Sequence, residues 1–462
     1  MGCFALSSEP VLFLYTIIFT INYSILPQLV VHKLCLQTLN KTECEKPETY
    51  PVTIQKEAST WWFYMLTCSL VPSVLTVLIW GPLTDIIGRR YAMLAVPFIN
   101  AIRSIIYLIN AYILHAHVGF LLFGSFLSCF YGEFQGVVAL CYAYMADITQ
   151  DNLDHRTVRM AFLESSLFFA GVPAGLLAGF LLQQIGYVPV FILTLIVNLI
   201  MFLYVFCFLP DKKSLNSVGN ISPEKAFISK ENFLNCVGKN EKKNFALLNP
   251  INHIKKVIMV VTSRENRLIV LPLILAFGVT VCSLLGELIV QTLYLQNKPF
   301  NMSPKLLGYY SASQSTVRGI GIIFVTQLSY RLLKLNDYTL ILIGLLSLTT
   351  CYLLIGLARS VEAVFLVNIV GFAIPTTTSA LRSVVTKQVS YENYGAVLSS
   401  MEAIEAIAAV AANGISLWTY NLTLNFYSGV VFYGLSGIAL SAFVFVILAY
   451  CYSRSVDIVE IK

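Results

Sequence analysis

The chain has 462 residues, of which 57% are hydrophobic and 12% charged, with a formal net charge of +6. Soluble chains hold roughly 45–50% apolar and about 25% charged residues, whereas the mean hydropathy here is +0.75. These values exclude a soluble protein of this size, a secreted disulfide module, a disordered chain and a nucleic-acid binder, and they point to a polytopic membrane protein.

A helix needs about 20 apolar residues to cross the hydrocarbon core. Twelve runs of that kind are predicted, at roughly 10–31, 61–81, 91–113, 117–145, 160–184, 187–209, 268–291, 307–328, 338–358, 361–385, 396–418 and 426–451. The first follows a stretch without Lys or Arg and without a small-residue cleavage site, so it reads as a retained helix rather than a signal. A polar segment at 210–267, with 11 basic and 5 acidic residues, divides the runs six and six. The expected organisation is a bundle at 1–209, a linker at 210–267 and a second bundle at 268–462. Two six-helix bundles joined by a cytoplasmic linker are the layout of an all-α membrane protein with the major-facilitator fold. In that layout the substrate binds near the midplane and the halves rock around it.

Orientation follows from the basic residues. With both termini cytoplasmic, 20 of the 30 Lys and Arg residues fall in inner loops and the tail, Arg156 among them, and seven in outer loops, Lys33 among them. The sequon at Asn40 then lies outside and is the expected glycosylation site. Cys35 and Cys44 share that outer, oxidising loop and can pair. The remaining cysteines fall mostly in helices, where they act as small apolar fillers. No P-loop, H-E-x-x-H, nucleophile elbow or metal-ligand cluster is visible, so neither an enzyme nor a metal or other cofactor is expected.

Two groups of residues carry mechanism. The first is Gly81-Pro82-Leu83-Thr84-Asp85-Ile86-Ile87-Gly88-Arg89-Arg90 between the second and third runs, which fits the major-facilitator signature G-x-x-x-D-x-x-G-R-R. Gly88 permits a tight turn, Asp85 can cap a helix or pair with guanidinium groups, and Arg89 and Arg90 pin the loop to the cytoplasmic face. Its role is gating. The second group is the ionisable residues within runs, each costing about 2.5–3.5 kcal/mol on insertion scales. They are Arg103, Glu133, Glu287, Arg318, Glu402 and Glu405, with Asp147, Glu164 and Arg382 nearer run ends. Glu133 and Arg318 are candidates for the transport path, although Glu133 could instead neutralise Arg103. Glu402 and Glu405, three residues apart, share a helix face and could share a proton.

Several stretches together resemble solute carrier family 46, the proton-coupled folate transporter group. They are Ala143-Tyr144-Met145-Ala146-Asp147-Ile148, then Arg159-Met160-Ala161-Phe162-Leu163-Glu164-Ser165, with Leu307-Gly308-Tyr309-Tyr310, Leu381-Arg382-Ser383 and Gly395-Ala396-Val397-Leu398-Ser399. The resemblance covers nearly the whole chain outside the linker. It implies that Glu164 takes part in proton coupling and that Tyr309 and Arg382 belong to the transport path. It also implies that Asp85 and Asp147 are structural or gating carboxylates, and it adds Glu405 to the coupling group. The seventh run lacks the intramembrane His of the family pattern, and Ser125 replaces its Arg in the fourth.

The expected function is therefore secondary active transport, proton-coupled, of an organic anion of folate-like or muropeptide-like type. The expected partners are that small molecule, protons and the lipid bilayer. A facilitative transporter of a neutral solute and a non-transporting receptor or scaffold are the alternatives. The plasma membrane is the first expectation for location and the lysosomal membrane the second.

Overall fold

The structure, a computed structural model, describes residues 7–38, 52–150, 153–210, 255, 258–259, 267–296, 299–302, 304–423, 427 and 429–460. Asn40, Cys44 and nearly all of the linker lie outside the described residues. Cys35 is buried and disulfide-bonded.

The first bundle consists of α1 (Glu9–Thr38), α2 (Val52–Ile87), α3 (Arg89–Tyr112), α4 (Phe120–Leu127), α5 (Glu133–Ile148), α6 (Leu153–Gln184) and α7 (Tyr187–Phe208). The second consists of α8 (Arg267–Gln296), α9 (Pro304–Leu328), α10 (Asp337–Leu357), α11 (Val361–Val370), α12 (Ile374–Lys387), α13 (Tyr394–Thr423) and α14 (Val430–Glu460). Two spans are broken. The fourth changes from α4 through a 3-10 turn to α5 at Gly132 and Glu133, both with positive φ. The tenth changes from α11 to α12 through a 3-10 turn at Gly371–Ala373. Glu133, expected in mid-helix, is the first residue of α5 at that break.

Eleven described helices are long and apolar enough to cross a membrane. The twelfth expected span, α9, has 25 residues but carries Gln314 and Arg318, which are buried against polar partners rather than facing hydrocarbon. Pro27, Pro72, Pro82, Pro97, Pro173 and Pro272 all sit within helices. Membrane helices tolerate such prolines because neighbouring groups re-satisfy the freed carbonyls. Helix α1 runs past the expected end of its run, so Lys33 is a buried helix residue rather than a loop residue. It donates to the Asn110 and Ile113 carbonyls at the end of α3.

The two bundles share an apolar cluster among the described residues. It includes Tyr142, Met145 and Met160 with Leu381, Val397 and Met401. The other two clusters each belong to one bundle: Ile25, Leu29 and Phe191 in the first, and Tyr294, Tyr352 and Phe432 in the second. The main contacts between bundles run α2 to α13, α6 to α9, α5 to α13 and α6 to α12. The bundles meet at the end that carries Arg89, where a Cβ added to Gly395 would lie 2.4 Å from the Gly81 carbonyl oxygen.

Candidate functional site

Helix α12 opens with Ile374-Pro375, where proline's fixed φ and missing N–H are tolerated. Its Thr-rich first turns are held locally: Thr376 donates to the Ala373 carbonyl at 2.7 Å, and the Thr378 hydroxyl lies 3.1 Å from the Pro375 carbonyl oxygen. One turn on, this frame projects Arg382 into the space between the bundles. Its side chain is 4% exposed and meets three carboxylates. Nη1 donates to Glu164 of α6 at 2.9 Å. Nε donates to Glu402 of α13 at 2.9 Å, and Nη2 to Glu405 of the same helix at 3.1 Å. The guanidinium carbon lies 4.5 Å from the Tyr142 ring centre and 4.8 Å from that of Phe277. Aromatic faces at that range attract a cation.

Glu164 is the one carboxylate of this group that the first bundle supplies. Its Oε2 also accepts from the Tyr142 hydroxyl of α5, and its Oε1 accepts from Thr378 of α12 at 3.1 Å. An ion pair with charge-assisted hydrogen bonds therefore links the two bundles at their centre. Glu164, Glu405 and Arg382 are brought together from positions that sequence spacing does not connect. Glu402, Tyr142 and Thr378 complete the group. Of these, only Glu402 left a trace in the sequence, as the partner of Glu405 on one helix face.

The other expected path residues lie elsewhere. Arg318 donates to both oxygens of Glu287 at 2.8 and 2.9 Å, wholly within the second bundle. Glu133 pairs with Arg103 at 3.3 Å within the first. Tyr309 lies in the first turns of α9 and is more than half exposed.

The signature residues form a compact, ion-paired cluster. Gly88 has φ 108°, a conformation glycine adopts without steric cost. It turns the chain so that Arg89, nearly fully buried, reaches Asp85, Asp147 at 3.1 Å and the Thr84 hydroxyl at 2.6 Å. Gly395 of α13 packs directly on this assembly, since an added Cβ would lie 2.7 Å from Arg89 Nη1. Arg90 points away and donates to the Phe206 carbonyl of α7 at 2.5 Å.

Two further connections close the same end. Arg156, counted in the sequence as an inner loop charge, is fully buried. It donates to the Thr386 carbonyl at 3.0 Å and the Tyr394 hydroxyl at 2.8 Å, both in the second bundle, and to the Ala146 carbonyl in the first. Thr157 donates to Asp337 at 2.9 Å and is joined by Lys387. Among the described residues no group of His, Cys, Asp and Glu side chains could hold a metal.

The comparisons agree with this architecture. The rat proton-coupled folate transporter is 27% identical over 437 residues, covering 92% of this chain and 87% of that one. The chicken lysosomal proton-coupled steroid conjugate and bile acid symporter is 22% identical over 437 residues, covering 92% and 89%. Both are solute carrier family 46 proteins, the group that the motifs resemble. The crystal structure of the human organic anion transporter MFSD10 superposes with a TM-score of 0.67 at 18% identity, covering 95% of this chain and 97% of that one. The family model of the Major Facilitator Superfamily matches residues 10–413. The chain is thus a multi-pass membrane transporter and belongs to the major facilitator superfamily.

Proposed function

We propose that the chain is a proton-coupled secondary transporter of an organic anion, with Arg382 as the anion's contact and Glu164 as the coupling carboxylate. The observation that carries this reading is the buried 2.9 Å pair between Arg382 and Glu164, one from each bundle. Alternating access separates the bundles, and the pair must then part. A bare buried carboxylate is costly to leave behind. A proton on Glu164 removes that charge, and the Tyr142 hydroxyl, carried by the same bundle, keeps it placed. Arg382 is then open to an anionic group of the substrate, which a guanidinium binds with paired donors.

The names of the relatives support this class. One is a proton-coupled folate transporter and the other a proton-coupled steroid conjugate and bile acid symporter. The basic-residue count supports an Arg89 end that faces the cytoplasm, with both termini on that side. The plasma membrane remains the first assignment and the lysosomal membrane the second.

The test is uptake of labelled folates, bile acids, steroid conjugates and muramyl peptides by reconstituted protein, at acid and neutral outside pH. The expected result is accumulation of at least one anion that rises with outside acidity and stops when the pH gradient is collapsed. Uptake that survives collapse would identify a facilitative carrier. No flux of any of them would remove the transport assignment of this site.

A further inference from the structure

Arg382 faces more negative charge than one guanidinium balances. Glu164, Glu402 and Glu405 lie 2.9, 2.8 and 3.1 Å from its nitrogens, with side chains 9%, 0% and 13% exposed. With all three ionised, the cluster holds two uncompensated charges. Buried groups neutralise rather than bear that cost.

We infer that Glu402 and Glu405 form a second proton-binding site, carried by the second bundle and separate from Glu164. This rests on the reading of the chain as proton-coupled. The two carboxyls are three residues apart on α13 and both meet the same Nη2 of Arg382. Oε1 of Glu402 takes the contacts from Arg382, while its Oε2 is buried and has no hydrogen-bond partner among the described residues. An ionised carboxylate with one oxygen stranded away from water is unfavourable, and a proton shared with Glu405 removes the charge. Glu405, the more exposed of the two, is the route by which that proton enters.

Glu164 differs in every respect that matters. Both its oxygens are engaged, Oε2 by Arg382 and Tyr142 and Oε1 by Thr378. It also moves with the other bundle. When the bundles part, Arg382 stays with Glu402 and Glu405, and one shared proton leaves those three groups neutral. The charged and titratable groups that act on the Glu402–Glu405 pair are Arg382 from α12 and Glu164 from α6. Tyr142 from α5 interacts with Glu402 directly and with Glu164. From α8 the cluster meets the Phe277 ring, which does not titrate.

The test needs no substrate. Full-length protein in liposomes is titrated with pH while infrared difference spectra record the carbonyl stretch of protonated carboxyls, with D2O exchange to assign it. The wild type should show at least two protonation steps. Glu164→Gln should remove one, while Glu402→Gln should remove another and leave the Glu164 step in place. Should Glu402→Gln fail to insert, Glu405→Gln reads the same site from its exposed side. If neither Glu402→Gln nor Glu405→Gln removes a step, the inference is overturned. If they remove one and Glu164→Gln removes none, the second site stands and the proposed role of Glu164 falls.

Discussion

Arg318 and Arg382 are both buried in the second bundle, yet their surroundings differ in kind. Arg318 meets one carboxylate, Glu287, through both oxygens. Gln291, Gln314 and Tyr352 donate to the same carboxylate at 3.1, 3.0 and 3.0 Å. Every member belongs to α8, α9 or α10. Arg382 meets three carboxylates, and one of them comes from the first bundle. Burying each guanidinium carries a similar desolvation cost. What separates them is where the counter-charge sits relative to the boundary that moves. A balanced pair inside one bundle is carried along unbroken. In the proposed cycle a pair across the boundary has to be remade each time, and its carboxylate, Glu164, has to be neutralised when it opens.

The strongest way to break this contrast is at Glu287. Glu287→Ala leaves Arg318 buried without its counter-charge, which costs about 3–5 kcal/mol. The expected outcome is a large drop in the unfolding temperature of the detergent-solubilised protein. The double variant Glu287→Leu with Arg318→Met should recover most of it, because an apolar pair of similar volume replaces the charges. A stable Glu287→Ala protein with an altered substrate preference would instead place Arg318 in the transport path.

The next effect concerns the joined end. Gly395→Ala puts a methyl group 2.4 Å from the Gly81 carbonyl oxygen. Overpacking of this kind costs about 1–3 kcal/mol, which shifts a two-state balance roughly 5- to 150-fold. The joined conformation should become scarcer, with less cross-linking between cysteines placed on α2 and α13 near Arg89. Maximal transport should fall while the rank order of substrates holds. Undiminished cross-linking would show that this contact does not set the balance.

These contrasts were only partly legible in the sequence. Apolar runs report hydrocarbon contact directly, so all twelve spans, α9 among them, and the six-and-six division could be read from them. Helix α9 is less apolar because Gln314 and Arg318 face Glu287, a partner 31 residues away from Arg318 that no local rule connects to it. The signature could be read because Asp85, Gly88 and Arg89 interact within one turn. Asp147, 58 residues away, joins them only through packing. The same holds at the centre: the Glu402–Glu405 spacing was visible, but the 218 residues between Glu164 and Arg382 hide their pairing. Arg156 and Lys33 were counted as loop charges because a positive residue at a run's edge usually is one. Both are buried, donating to carbonyls at helix ends, where a cation is favoured.

The smallest expected effects distinguish the two signature arginines. Arg90 makes its bond to the Phe206 carbonyl within the first bundle, so Arg90→Gln should cost only about 0.5–1.5 kcal/mol of stability. Arg89 touches the surface on which Gly395 closes, so Arg89→Gln should lower maximal transport more than Arg90→Gln does. Neither should reorder substrates. A changed order in either variant would contradict the placement of the gate away from the anion contact.

The most direct measurement compares exchange with accumulation in Glu164→Gln. This variant keeps the shape of Glu164 and, like its protonated form, offers one accepting oxygen, but it cannot take up or release a proton. Proteoliposomes carrying it would be given the labelled anion that the uptake panel identifies, first with equal unlabelled anion inside and then under an inward proton gradient. The account predicts that exchange persists while uphill accumulation is lost. A well-inserted Glu164→Gln protein that still concentrates the anion against its gradient at acid pH would contradict it.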